Sequence, residues 1–263
     1  MDAESVDKAA GALLDAYATR APLPPLTAVH PGLSVDDAYA IQLAQVQAWT
    51  IAGARIKGHK IGLTSTAMQR QMGVNEPDFG HLLESMFLPS DSTVSACRFL
   101  QPRIEPEMAF VLGRPLRGPG VTVTEAIAAV DFVLPALEII DSRIADWRIT
   151  LADTIADNAS SGGVVLGSQP TRLNDLDLAL TGCLLHVNGR LAATGAGGAV
   201  LGSPVNAVVW LANVLGPRGI TMEAGHVVLP GSVTAAVPVS PGDSVTATFA
   251  AMGSVSVTFG ATS

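Results

Sequence analysis

Arg103-Ile104-Glu105-Pro106-Glu107-Met108-Ala109-Phe110 is the stretch from which the rest of the chain can be read. Acidic and apolar residues alternate along it, so on a β-strand Glu105 and Glu107 project from one face. Two same-face carboxylates repel, which costs energy unless a cation lies between them. Taken alone, a solvent-facing strand with two ordinary acids explains the run equally well. A second run, Leu134-Pro135-Ala136-Leu137-Glu138-Ile139-Ile140-Asp141, places an acid within an otherwise apolar strand. A buried, unpaired carboxylate is expensive, so Glu138 is either ligated or paired, with Arg103 and Arg143 as the candidate cations. Three carboxylates from two strands suit an octahedral oxygen site for Mg2+ or Mn2+, with the remaining positions open to water and substrate. The absence of His/Cys ligand spacing argues against zinc.

Three further runs carry polar chemistry. Lys57-Gly58-His59-Lys60-Ile61-Gly62 sets Lys60 between a histidine and an apolar residue. A lysine drawn into an apolar, metal-bearing pocket can give or take a proton, whereas at a strand end it is an ordinary surface lysine. Asn75-Glu76-Pro77-Asp78-Phe79-Gly80-His81 reads as a polar loop within reach of such a site. Residues 153–163 are dense in small polar groups of the kind that hydrogen-bond a carboxylate, and also read as a loop.

Composition narrows the field. The chain has 263 residues and is 48% hydrophobic, enough for a sizeable core. Charged residues make up only 14%, which favours a surface covered by other subunits. The net charge is −8 and there is no basic run, so nucleic-acid binding is not expected. Cys97 and Cys183 have neither metal spacing nor a disulfide framework, so a reducing cytoplasm is the expected location. The first residues lack the basic and apolar regions of a signal peptide. The apolar stretch 126–140 is broken by Asp131, Pro135 and Glu138, and no membrane span is expected.

Periodicity predicts helices over residues 4–20, from Ser34 to about Gly53, and over 64–72. Thr122 and Glu125 form a capping box for another, and Pro204 opens one over 204–215. Short β-like runs cover residues 55–63, 104–112, 132–140, 163–166, 184–187, 226–229, 244–249 and 255–259. Asn188-Gly189 is a strong hairpin signal.

Together the segments GHKIGLTS, MGVNEPDFGHLL, LQPRIEPEMAFVL, VLPALEIIDSRI, DTIADNASS, VLPGSVTAAVPVSPGDSV and MGSVSVTF resemble one family. It is the group of 2-keto-4-pentenoate (2-hydroxypenta-2,4-dienoate) hydratases, 2-oxohept-3-enedioate hydratases and 4-oxalocrotonate decarboxylases, within the fumarylacetoacetase-like superfamily. The resemblance implies an α+β, mainly β fumarylacetoacetase C-terminal-like domain (a mixed β-roll or barrel) over 56–263, continuous with a helical N-terminal segment over 1–55. It implies Glu105, Glu107 and Glu138 as ligands of Mg2+ or Mn2+, Lys60 as the acid/base and Asp78 as the loop aspartate that orients or activates the nucleophile. Ser160 is implied as a substrate contact, with His59, Gly62 and Leu83 as further candidate contacts. A homo-oligomer, pentamer or decamer, is implied, with a pathway enzyme as a possible docking partner.

The implied activity is addition of water to 2-hydroxypenta-2,4-dienoate, giving 4-hydroxy-2-oxopentanoate, in catabolism of aromatic or sterol rings. The alternative in the same group is 4-oxalocrotonate decarboxylation; the alternative of another class is a non-catalytic accessory subunit that keeps the metal site. Residues 232–238 have a decarboxylase flavour. NEPDFGHLL with Asp78, and the run Arg143-Ile144-Ala145-Asp146-Trp147, look hydratase-like, since a decarboxylase tends to lack an acid at the position of Asp78. No surplus Arg or Lys stands near these motifs for a second substrate carboxylate, although Arg55, Arg70 and Arg143 leave a diacid open.

Overall fold

The structure is a computed structural model that describes residues 1–260. The helices are α1 (Ala3–Thr19), α2 (Leu26–Val29), α3 (Val35–Ile51), α4 (Thr66–Met72), α5 (Val123–Ala129), α6 (Leu151–Ala156) and α7 (Pro204–Leu215). The strands before the midpoint are β1 (Ile56–Gly62), β2 (Asp78–Leu83), β3 (Phe87–Leu88), β4 (Ser92–Ser95), β5 (Arg103–Leu112) and β6 (Val130–Ile140). After them come β7 (Ser161–Leu166), β8 (Gly182–Val187), β9 (Arg190–Ala196), β10 (Val227–Leu229), β11 (Val237–Pro238), β12 (Ser244–Phe249) and β13 (Gly253–Gly260).

Two mixed sheets form a half-barrel with helices packed outside it. The larger runs β2-β1-β10-β5-β6-β7-β3, with β11 added to β5, and the smaller runs β4-β13-β12-β8-β9. Strand alternation sorts the large sheet into two faces. Ile104, Met108, Phe110 and Leu112 on β5 join the main core with the helices and the smaller sheet. Ala109 on β5, with Leu134, Ala136, Val164, Val227 and Leu229, forms a second apolar cluster on the opposite, inner face. Glu105 and Glu107 share that inner face, in step with Ala109. The site therefore grows out of one side of the sheet.

Local sequence signals explain most elements. Ser34 caps α3 through a capping box with Asp37, and Thr122 and Glu125 do the same for α5. Asn188 and Gly189 both have positive φ, as a two-residue hairpin turn between β8 and β9 requires. The helical N-terminal part is tied to the sheet by buried glutamines. Gln42 Nε2 donates to Phe79 O on β2 at 2.9 Å and to Ile155 O on α6 at 2.8 Å.

Two of the expected loops are regular structure. Asp78–Leu83 is a fully buried strand, and its polar residues mask the strand because both of its faces are covered. Leu151–Ala156 is a helix with its own capping box, Thr150 to Asp153. The apolar run Gly197–Arg218 is long enough to cross a membrane by composition alone. It is folded as a short 3-10 turn, then α7 and another 3-10 turn, and Ala207, Val208, Leu211, Ala212 and Leu215 of α7 are buried in the core.

Candidate active site

β5 and β6 pair antiparallel with Glu105 directly opposite Glu138 and Glu107 opposite Ala136. The three glutamates thus share the inner face, each with a carboxylate oxygen within 4.8 Å of those of the other two. Glu107 and Glu138 are buried, and Glu105 opens into a cavity of about 370 Å3. Glu107 Oε2 accepts the backbone N–H of Gly231 at 2.8 Å. Among the described residues, its other oxygen and both oxygens of Glu138 have no hydrogen-bond partner.

Burial raises the pKa of all three acids, and their mutual repulsion adds to it for Glu105 and Glu107. Glu105 is pushed up to about 7, with Lys60 opposing the rise. Crowded, orphaned carboxylate oxygens in a low-dielectric pocket are the donor set of a hard divalent cation. The residues present fit Mg2+ or Mn2+.

Lys60 reaches this cluster from β1, which is not adjacent to β5: β10 lies between them. Its Nζ lies 3.3 Å from Glu138 Oε1, an ion-pair distance without the alignment of a hydrogen bond. Burial alone lowers a lysine pKa, but Glu138, Glu105, Asp78 and Glu107 outweigh it and hold the ammonium above its usual value. Glu138 therefore pairs with Lys60, and neither arginine expected from the sequence takes that place. Arg143 is bound to Asp157, and Arg103 lies over the Trp147 ring.

Asp78 sits opposite Gly62 in the β1–β2 register. A side chain at position 62 would put its Cβ 2.1 Å from Asp78 Oδ1, so glycine there leaves the room the carboxylate occupies. Burial raises the Asp78 pKa, against the pull of Lys60. Ser160 ends a turn in which Asn158, Ala159 and Ser160 all have positive φ. Such residues persist only when their surroundings determine them. Here Arg143 does so, with Nε to Asp157 Oδ1 at 2.6 Å, Nη2 to Asp157 O at 3.0 Å and Nη1 to Ser161 O at 3.1 Å. The Asn158 side chain in turn clamps β2, accepting from His81 N–H at 2.8 Å and donating to His81 O at 2.9 Å.

Lys60, Gly62, Asp78, Glu105 and Ser160 all line the cavity. Glu107 and Glu138 lie in the carboxylate cluster beside it. His59, one residue from Lys60, is on the other face of β1, 5.0 Å from the His81 ring and 5.9 Å from that of His226. Leu83 belongs to the inner apolar cluster and is not part of the cavity lining. The sequence did not point to Gly231 or Thr154 as neighbours of the site, whereas Arg103, named there as a candidate partner of Glu138, and Trp147, in the run 143–147 singled out there, line its cavity. Arg103 had a visible signal: it precedes Glu105 by two residues and so shares its face.

The family described as fumarylacetoacetate (FAA) hydrolase C-terminal matches residues 57–259. The chain is 45% identical over 259 residues to 2-keto-4-pentenoate hydratase of Paraburkholderia xenovorans (strain LB400), covering 98% of this chain and 96% of that protein. It is 43% identical over 260 residues to 2-hydroxyhexa-2,4-dienoate hydratase of Comamonas testosteroni, covering 98% of each. Its fold matches 4-oxalocrotonate decarboxylase from Pseudomonas putida G7, complexed with magnesium and adipate, with a TM-score of 0.95 at 37% identity over 98% of both chains.

Proposed function

The chain belongs to the fumarylacetoacetate (FAA) hydrolase C-terminal family, and on that premise we propose that it is a divalent-metal-dependent hydro-lyase. It adds water to 2-hydroxypenta-2,4-dienoate (2-keto-4-pentenoate) to give 4-hydroxy-2-oxopentanoate, a step in aromatic-ring catabolism. The observation that carries hydration over decarboxylation is Asp78, buried in the same cavity as Lys60 and Glu105. Decarboxylation needs a metal and a proton donor but no group to orient water. The names of the hydratase relatives point the same way.

Glu105, Glu107 and Glu138 hold the metal, which we take to be Mg2+ or Mn2+. When bound, it supplies a Lewis acid that stabilises negative charge on the C2 oxygen of the substrate. Ser160 donates its hydroxyl to the substrate carboxylate. Lys60 moves a proton from the C2 hydroxyl to C5, leaving a 2-oxo-3-enoate. Asp78 orients a water whose hydroxyl adds at C4 while a proton goes to C3. Two protein features support these roles: Lys60 and Asp78 both line the cavity, and Asp78 Oδ1 has no hydrogen-bond partner among the described residues.

The test is direct. Purified protein is mixed with 2-hydroxypenta-2,4-dienoate and Mg2+ or Mn2+, and the dienol absorbance is followed with and without EDTA. Metal-dependent loss with 4-hydroxy-2-oxopentanoate as product supports the reading. Inertness towards the dienoate, together with CO2 release from 4-oxalocrotonate, would replace it with the decarboxylase.

We also propose a reducing cytoplasmic location, in keeping with two free cysteines, and a homo-oligomer. Leu180, Leu184 and Leu191 are exposed on and beside the β8–β9 hairpin, an apolar patch suited to a second copy of the chain.

A further inference from the structure

The candidate active site shares a wall with a second cavity. That cavity is about 470 Å3, and its lining includes Phe99, Leu100, Pro238, Val239 and Phe259. Among the described residues, only Arg103 and Trp147 line both. The Arg103 guanidinium carbon lies 4.4 Å from the Trp147 ring centroid, so the partition is one stacked pair thick. No carboxylate of the described residues forms an ion pair with Arg103, and the indole is its partner. Trp147 is fixed by a hydrogen bond from Nε1 to Gln101 O at 3.0 Å. It sits in a turn where Asp146 and Trp147 have φ of 59° and 54°, conformations a non-glycine residue holds only under constraint.

The position of the partition fits the far end of the substrate. Arg103 precedes Glu105 by two residues on one strand face, roughly 7 Å along β5. That is comparable with the extended carbon chain of a dienoate whose carboxyl end lies at the three glutamates. Among the described residues Arg103 is the one charged group lining the second cavity, and the Phe99, Leu100, Pro238, Val239 and Phe259 walls beyond it suit an apolar substituent.

We propose that the Arg103–Trp147 stack is the specificity-determining element for the C5 end of the substrate. In place, it limits the site to small C5 substituents. Reduced in size, it joins the two cavities and admits long apolar ones. This rests on the hydratase reading of the same site.

The test compares wild type, Trp147→Ala and Trp147→Leu on 2-hydroxypenta-2,4-dienoate and on 2-hydroxynona-2,4-dienoate, which carries a butyl group at C5. The ratio of kcat/KM for the long over the short substrate is expected to rise roughly tenfold or more in both variants, the scale that pocket room for methylenes sets. A ratio unchanged from wild type in a variant that still turns over the short substrate would overturn the proposal. Trp147→Leu supplies the readout if Trp147→Ala does not fold. Calorimetric binding of 2-oxopentanoate and 2-oxononanoate to the Mn2+-loaded proteins measures the same ratio without turnover. Wild type inert towards both dienoates would defeat the hydratase reading alone, while the binding ratio would still decide the role of the stack.

Discussion

Lys60, the proposed proton carrier, stands among four acids with its Nζ 3.3 Å from Glu138 Oε1. If it moves protons, Lys60→Ala lowers turnover by about two to four orders of magnitude, while Mn2+ binding persists. Unchanged turnover in that variant would remove it from the mechanism. Gly231 acts through its backbone. Its N–H holds Glu107, its φ is +118°, and a Cβ there would stand 1.9 Å from Thr64 Oγ1. Gly231→Ala should cost about 1–3 kcal/mol, read as a lower midpoint in urea unfolding, with weaker metal binding alongside.

At the scale of elements, the buried Arg143–Asp157 pair holds the Asn158–Ser160 turn, and Asn158 ties that turn to β2. Arg143→Met leaves Asp157 uncompensated in the core and should destabilise the chain by about 3–5 kcal/mol in urea unfolding. A loss below ~1 kcal/mol would show that the turn is held by other contacts. The same elements show what was legible in the sequence. β5 and β6 were readable because acids interrupt an apolar alternation, and that alternation is local. β2 was not: Asp78 and His81 are buried, so burial gives it no alternation to read. The six residues of α6 are too few for a helical period to stand out, although the Thr150–Asp153 capping box was available. The partner of Glu138 was unreadable for a different reason. Lys60 lies 78 positions earlier, on β1, with both β10 and β5 between it and β6 in the sheet order, a contact no spacing encodes.

For the whole molecule, the three glutamates couple stability to pH and metal. Glu105 has an ordinary pKa of 4.5 and is held near 7 in the metal-free fold. Between those values the unfolded chain has lost a proton that the folded chain keeps, so stability falls as pH rises through this window. With EDTA, the Tm should therefore decline from about pH 4.5 to 7 at this group's expense, and the stabilisation gained on adding Mn2+ should grow over the same range. A metal-induced Tm shift that shrinks as pH rises would contradict this. The exposed leucines of the β8–β9 hairpin predict an oligomer in sedimentation velocity, dissociated by Leu184→Asp with Leu191→Asp.

One cation held by Glu105, Glu107 and Glu138 underlies the proposed chemistry, and calorimetric titration of Mn2+ into EDTA-treated protein measures it most directly. The predicted result is one ion per chain in wild type, with affinity lowered in Glu138→Gln by at least the ~100-fold that outer-shell changes reach. Binding of equal affinity in wild type and Glu138→Gln would place the metal elsewhere and contradict the account.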